Sequence, residues 1–385
     1  MVRRAVVSLA VQFFANGFVY ATLVARLPAI RDRVGISVGL LGLVLTIGSL
    51  SALLSSFFTG PVIRRFGSRR VVVGGGLLYV AALPCIGFST TPVMLIAALV
   101  GLMFFDVFID TAMNLQGSVV SARRHHPVMS RLHGLWSLGT VLGALVAAQL
   151  AGFAVPVPIH YTAVAAALAG ALLVVMPGLL PVDEPHPRQA RRERRSGRWR
   201  VPRSAVALGL ASALAVTVDV ATGEWAAFRL SDDLGASAGV AAAAFAAYTV
   251  GMTAGRFGGD AAAARMGGAV LVRIGAAVAA CGLATAALIP DRHAALVGFL
   301  LVGLGTSVFS PQLADAAARA PGPPGSGFTV LFVGHRTAAL LVPALIGTAA
   351  NTSTLNVGAA MALVGLPAVI GLMLVAGTTI RGRTA

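Results

Sequence analysis

Twelve apolar runs divide this sequence, and each approaches the ~20 residues that a helix needs to cross a bilayer. Most of the runs are bounded by Gly, Pro or charged residues, and most of the connections between them are short. The pattern predicts an all-α membrane protein with twelve transmembrane helices. The runs lie at 5–25, 39–60, 71–88, 92–118, 132–154, 159–180, 205–227, 238–258, 269–289, 293–313, 326–350 and 355–377.

The composition fits a chain whose solvent is mostly lipid. Hydrophobic residues make up 57% of the 385 residues and charged residues only 11%, whereas a soluble protein carries about 25% charged residues. The net charge of +16 does not indicate nucleic-acid binding, because the Arg residues lie in loops between apolar runs. The sequence contains no Walker loop and no H-E-x-x-H motif, and no enzyme activity, metal centre or cofactor is predicted.

The distribution of Arg residues predicts the topology. If the N-terminus is cytoplasmic, 23 Arg residues fall on the cytoplasmic side and five on the other. Such an excess is the pattern of the positive-inside rule, so both termini are expected in the cytoplasm. The longest polar stretch, 181–204, is rich in Arg and Pro and separates 1–180 from 205–385. We therefore expect two six-helix halves joined by a cytoplasmic linker.

Two basic turns carry a resemblance to a known family. Arg65-Phe66-Gly67 follows the second run and Arg265-Met266-Gly267 follows the eighth, about 200 residues later, which indicates an internal repeat. With the layout of twelve runs, these turns resemble the signature G-x-L-A-D-R-x-G-R of the major facilitator superfamily, although Arg64 replaces the usual Asp. The resemblance implies a monomeric secondary transporter that works by alternating access. It places the following residues in the gating turns: Gly60, Arg65, Gly67, Asp260, Arg265 and Gly267.

Two carboxylates lie within the fourth apolar run. Asp106, Asp110 and Asn114 recur at a spacing of four, which puts them on one helix face. A charge at bilayer depth costs about 2.5–3.5 kcal/mol on insertion scales, so its presence indicates a function. Asp110-Thr111-Ala112-Met113-Asn114 is similar to the E-T-A-x-N motif of fucose-permease-like transporters, whose acidic residue is associated with proton coupling. We expect a buried Asp110 to carry the proton together with Asp106; a static pairing with a basic residue is the alternative.

Polar residues in other apolar runs are candidates for solute binding. Gln12, Asn16 and Tyr20 recur at a spacing of four and form a polar stripe in the first run, and side chains of this kind suit neutral hydroxylated ligands. For two of the candidates an alternative to solute binding stays open. Glu224 could be solvated near a helix end, and Arg336 could extend its side chain to the membrane interface. The predicted solute-binding residues are Gln12, Asn16, Asn114, Trp136, Asp219, Glu224 and Arg336.

The combined prediction is a proton-driven transporter of a small, sugar-like solute in a bacterial cytoplasmic membrane. The resemblance leaves symport and antiport open. One alternative is proton-driven efflux of a hydrophobic drug or metabolite. Another, from a different class, is a membrane sensor or scaffold that does not transport. The expected partners are the solute and the lipid bilayer, without nucleic acid.

Overall fold

A computed structural model of the chain describes residues 2–124, 128–180, 203–320, 326–352 and 354–380. The described residues are helical and contain no strand. The first helices are α1 Val2–Ala25, α2 Leu27–Val34, α3 Val38–Phe66, α4 Ser68–Gly87, α5 Pro92–Arg124, α6 Met129–Gly152 and α7 Val157–Val175. The later ones are α8 Arg203–Gly223, α9 Ala238–Met266, α10 Gly268–Leu288, α11 Arg292–Thr306, α12 Phe309–Ala318, α13 Ser326–Ala350 and α14 Val357–Thr379.

The prediction of twelve membrane spans is confirmed. Within the described ranges, twelve helical stretches are long and apolar enough to cross a bilayer, and each overlaps one predicted run. Two spans are less regular than the sequence suggested. The seventh continues beyond α8 through a helical turn, Ala226–Phe228, into a π-helical segment, Arg229–Asp233. The tenth is divided into α11 and α12.

The described residues form two compact units. Unit 1 comprises the described residues of Met1–Glu184 together with Ala236–Ala246, and unit 2 comprises those of Pro185–Gly235 and Ala247–Ala385. The predicted linker at 181–204 lies almost entirely outside the described residues. The division at that linker stays a prediction.

The same helix pairs pack together in both units. In unit 1, α1 packs on α6, α4 on α5, and α4 on α7. In unit 2, α8 packs on α13, α10 on α11, and α10 on α14. These are the same spans of each six-helix set, so the packing repeats as the weak sequence repeat predicted.

The two predicted basic turns have matching backbone geometry. Gly67 joins α3 to α4 with φ 79° and ψ 149°, and Gly267 joins α9 to α10 with φ 81° and ψ 151°. Only glycine adopts such a positive φ without strain, which explains its presence in both turns. Arg65 is exposed and its guanidinium lies 5.6 Å from the centre of the Phe66 ring.

The other residues of the turns occupy helix ends rather than loops. Gly60 is exposed within α3, and Arg265 is exposed in the last turn of α9. Asp260 belongs to α9, but its side chain lies outside the described residues. The gating role of these residues stays a prediction.

A close glycine contact joins α1 to α6. A Cβ atom at Gly139 would lie against the backbone carbonyl of Phe14, and one at Gly17 would lie against that of Trp136. Membrane helices often associate through small residues in this way, because lipid provides little hydrophobic drive for their packing. The contact fixes the distance between the two helices that carry Asn16 and Trp136.

We expect Gly139→Val to destabilise the protein by about 1–3 kcal/mol or more, because the added side chain forces α1 and α6 apart. Gly134→Val is the matched control on the same helix, since a Cβ atom there meets no atom within 4 Å. Thermal unfolding of both purified variants in detergent measures the effect. Equal melting temperatures for the two variants would contradict the packing described.

Candidate functional site

Asn16 is the centre of a hydrogen-bonded network in unit 1. Its Nδ2 donates to Oδ1 of Asp106 at 2.7 Å, and its Oδ1 accepts from Nε1 of Trp136 at 2.8 Å. The orientation of the amide follows from its partners, because an indole only donates and an ionised carboxylate only accepts. The network connects α1, α5 and α6 and brings together three residues that the sequence predicted.

Two tyrosines border this network. Tyr79 of α4 is 2% exposed, and its hydroxyl lies 3.5 Å from the backbone oxygen of Asn16. The ring of Tyr20 stacks on that of Trp136 with 6.3 Å between centroids and 24° between planes. The sequence did not single out Tyr79. A lone Tyr in the apolar run of α4 was the only available signal.

Asp110 and Asn114 form a separate pair on α5. Nδ2 of Asn114 donates to Oδ1 of Asp110 at 3.0 Å and to its backbone oxygen at 2.8 Å. The expectation that Asp110 is buried is wrong, since its side chain is exposed whereas that of Asp106 is half-buried. The difference arises because α1 and α6 cover the helix face at Asp106 through Asn16 and Trp136. Four residues along α5, a rise of about 6 Å, separate the two carboxylates.

Gln12 is buried but packs away from the network described above. A Cβ atom at Gly76 of α4 would lie 3.3 Å from both polar side-chain atoms of Gln12, so the amide lies against the backbone of α4. The predicted polar stripe on α1 therefore divides between two neighbours. Asn16 contacts α5 and α6, and Gln12 contacts α4.

Asp219 is part of a second polar cluster, which lies in unit 2. Its Oδ1 accepts from the hydroxyl of Tyr248 at 2.9 Å. Thr306 and Arg256 also lie near the Asp219 carboxylate. The cluster connects α8, α9 and α11, and the sequence had identified only Asp219 among its members.

The remaining predicted residues do not join either cluster. Oε2 of Glu224 is buried and has no hydrogen-bond partner among the described residues, so the alternative of a solvated carboxylate is wrong for this atom. Arg336 is half-buried in α13 beside the exposed His335, and it makes no ion pair with the described part of the chain.

An apolar groove of about 390 Å³ lies elsewhere in unit 1. Its walls come from α3, α4 and α5 and include Phe66, Gly75, Phe104 and Phe108. None of the network residues lines it, and Arg70 is its one charged wall residue. Its apolar walls suit lipid or another apolar group better than a hydrophilic solute.

The fold and the polar clusters define a multi-pass helical membrane protein with carboxylates inside its spans. The sequence matches the Major Facilitator Superfamily over residues 9–343. The chain belongs to this family, whose members are transporters.

Two curated relatives cover most of the chain. Membrane protein MosC of Rhizobium meliloti is 28% identical over 353 residues, which cover 90% of this chain and 84% of the relative. An uncharacterized MFS-type transporter of Yersinia pestis is 27% identical over 354 residues, with 91% and 90% coverage. The family match and the second relative indicate a transporter rather than an enzyme. They leave the fucose-permease-like branch as a prediction.

Solved transporter structures share the fold. A D-xylose-proton symporter superposes with a TM-score of 0.77 at 15% identity and covers 99% of both chains. The nucleoside transporter NupG superposes with a TM-score of 0.73 at 13% identity and covers 97% of both chains. Identities this low establish the architecture and not the solute.

Proposed function

We propose that the chain is a proton-coupled secondary transporter of a small, neutral, hydroxylated solute. The observation that carries the proposal is the bond between Asn16 and Asp106, which holds an intramembrane carboxylate against a neutral amide. Carboxylates within spans are typical of proton relays. The D-xylose-proton symporter and the nucleoside transporter among the structural neighbours act on hydroxylated solutes, which agrees with this solute class.

Protonation of Asp106 changes the hydrogen bonds that connect three helices. The ionised carboxylate only accepts hydrogen bonds, so the Asn16 amide presents Nδ2 to it and Oδ1 to Trp136. A protonated Asp106 also donates, and an amide that turns to accept this proton withdraws its oxygen from the indole. The proton thereby alters the contact of α1 with both α5 and α6, and this contact is the proposed link to alternating access.

Asp110 is the second proposed proton site, and the exposure of its side chain suits exchange with water. Within unit 1, the amide of Asn16 and the indole of Trp136 are proposed solute contacts. Within unit 2, Asp219 is a proposed solute contact. In this proposal, residues 1–180 and 205–385 form the two moving halves. The proposal puts both termini on the cytoplasmic side of a bacterial cytoplasmic membrane, and the excess of Arg residues on that side supports it.

Charge movement in proteoliposomes tests the function directly. We expect purified protein on a solid-supported membrane to give a transient current with one class among sugars, polyols and nucleosides, and Asp110→Asn to lose it. A current with lipophilic cations instead would favour efflux of hydrophobic compounds. Electroneutral transport gives no current, so it is measured as flux of labelled solute. The absence of both current and flux for every solute class would contradict the proposal.

A further inference from the structure

Three buried side chains near the place where α1 ends and α7 begins have polar atoms without a hydrogen-bond partner among the described residues. Arg26 is 6% exposed, His160 is 1% exposed and Thr22 is fully buried. Nε and Nη1 of Arg26, both ring nitrogens of His160 and the hydroxyl of Thr22 have no hydrogen-bond partner among the described residues. Such orphaned groups are rare in folded proteins, because each loses its bonds to water on burial.

Several contacts place the three residues in one region of unit 1. Nη2 of Arg26 donates to the backbone oxygen of Val155, just before α7, at 2.9 Å. The hydroxyl of Tyr161 donates to the backbone oxygen of Thr22 at 3.2 Å, which holds the start of α7 against the last turn of α1. His160 also lies within electrostatic reach of Arg26.

Arg26 keeps its charge without a nearby acid. A guanidinium has five N–H donors and stays protonated in proteins, yet only one bond to Val155 is made here. Burial lowers the pKa of Arg26 from its usual value, and no carboxylate among the described residues acts against this effect. The charge therefore lacks the partner that a buried ion requires.

In unit 2, the charge of a buried Arg near the end of the first span is neutralised by an acidic residue. Arg229 lies in the last part of the first span of that unit, whereas Arg26 directly follows the first span of unit 1, and Arg229 is 3% exposed. Its Nη1 pairs with Oδ2 of Asp233 at 2.9 Å, and its Nε and Nη2 donate to backbone carbonyls. The residue four positions after Arg26 is the buried Ile30, which offers no charge.

We propose that Arg26, His160 and Thr22 bind a small monovalent anion, a halide or a carboxylate, which takes the place that Asp233 fills in unit 2. The Arg26 guanidinium and the Thr22 hydroxyl donate hydrogen bonds, and one ring nitrogen of a neutral His160 also donates, which suits an acceptor of negative charge. The site is separate from the Asn16 network, so the proposal does not depend on the solute or on proton coupling.

Anion-dependent stability and direct binding test the site. The full-length protein in detergent is moved from gluconate to chloride, and separately to acetate, at constant ionic strength. We expect the melting temperature to rise by about 2–4 °C at saturation, and labelled chloride to bind at one site per chain. A response to chloride alone identifies a halide, and a response to acetate alone identifies a carboxylate.

Two variants separate this site from general salt effects. Arg26→Met removes the charge and is expected to lose both the stability shift and chloride binding, whereas Arg319→Met, in an exposed ion pair, keeps both. Ile30→Asp places a carboxylate four residues after the Arg, as in unit 2, and is expected to make stability independent of the anion.

The proposal is overturned if neither chloride nor acetate changes the stability of the wild-type protein. Retention of the full response by Arg26→Met would also overturn it, because the anion would then bind elsewhere. If Ile30→Asp does not fold, the comparison of Arg26→Met with Arg319→Met still shows whether the anion binds at Arg26.

Discussion

Replacing Asp106 by Asn is expected to abolish accumulation of solute against its gradient while exchange of solute across the membrane continues. The reason is that Asn cannot carry a proton but preserves the size of the side chain and an acceptor for the Asn16 amide. In the wild-type protein, a gradient of about one pH unit supports about tenfold accumulation with one proton per solute. The variant is expected to reach equal concentrations on both sides.

Uptake into proteoliposomes with an imposed pH gradient measures accumulation, and counterflow without a gradient measures exchange. Asp32→Asn is the matched control, because Asp32 is an exposed carboxylate paired with its neighbour Arg31. Asp110→Asn in the same assay compares the two candidate sites. Accumulation by Asp106→Asn at the wild-type level would show that this carboxylate does not carry the coupled proton.

Removal of Asp233 is expected to cause the largest loss of stability among the substitutions considered. Asp233 pairs with Arg229, and their side chains are only 6% and 3% exposed. Its carboxylate also accepts from the backbone nitrogens of Val357 and Gly358 at 3.1 and 2.7 Å, at the start of α14. Asp233→Ala leaves a buried guanidinium without its counter-ion, for which a cost of about 3–5 kcal/mol is expected.

Unit 2 contains a matched pair at its surface. Arg319 and Asp315 have the same spacing of four residues, but their side chains are 55% and 61% exposed. Asp315→Ala is expected to cost less than about 1 kcal/mol, because water replaces the lost partner. Thermal unfolding of the two variants side by side measures the difference. Similar melting temperatures would mean that burial does not control the strength of the Arg229 pair.

The sequence alone was sufficient to predict the number of spans and much of the internal repeat. A spanning helix needs a long apolar run whatever surrounds it, so the twelve runs could be read without knowledge of packing. Gly67 and Gly267 could likewise be read locally, since each turn requires a positive φ. The predicted bounds of the runs were less accurate, since α3 and α5 extend past their predicted ends into Arg-containing segments.

The candidate site was predicted in its residue types but not in its contacts. Asn16 and Asp106 stood out because polar side chains are expensive inside a bilayer, and Trp136 stood out as an aromatic ring able to stack on a ligand. Their meeting depends on partners that are 90 and 120 residues apart in sequence. Tyr79 and Thr306 were missed because a hydroxyl in an apolar helix carries no local signal of its partner.

The burial of charges was decided by tertiary structure alone. From the sequence, Asp110 was predicted to be buried, and Arg26 and Arg229 were predicted to lie in loops. In the structure Asp110 is exposed and both arginines are buried. Apolar length along the chain determined which segments enter the membrane, because lipid acts on every residue of a span. Which polar groups face one another was determined only by helix packing, because that depends on distant segments reaching the same place.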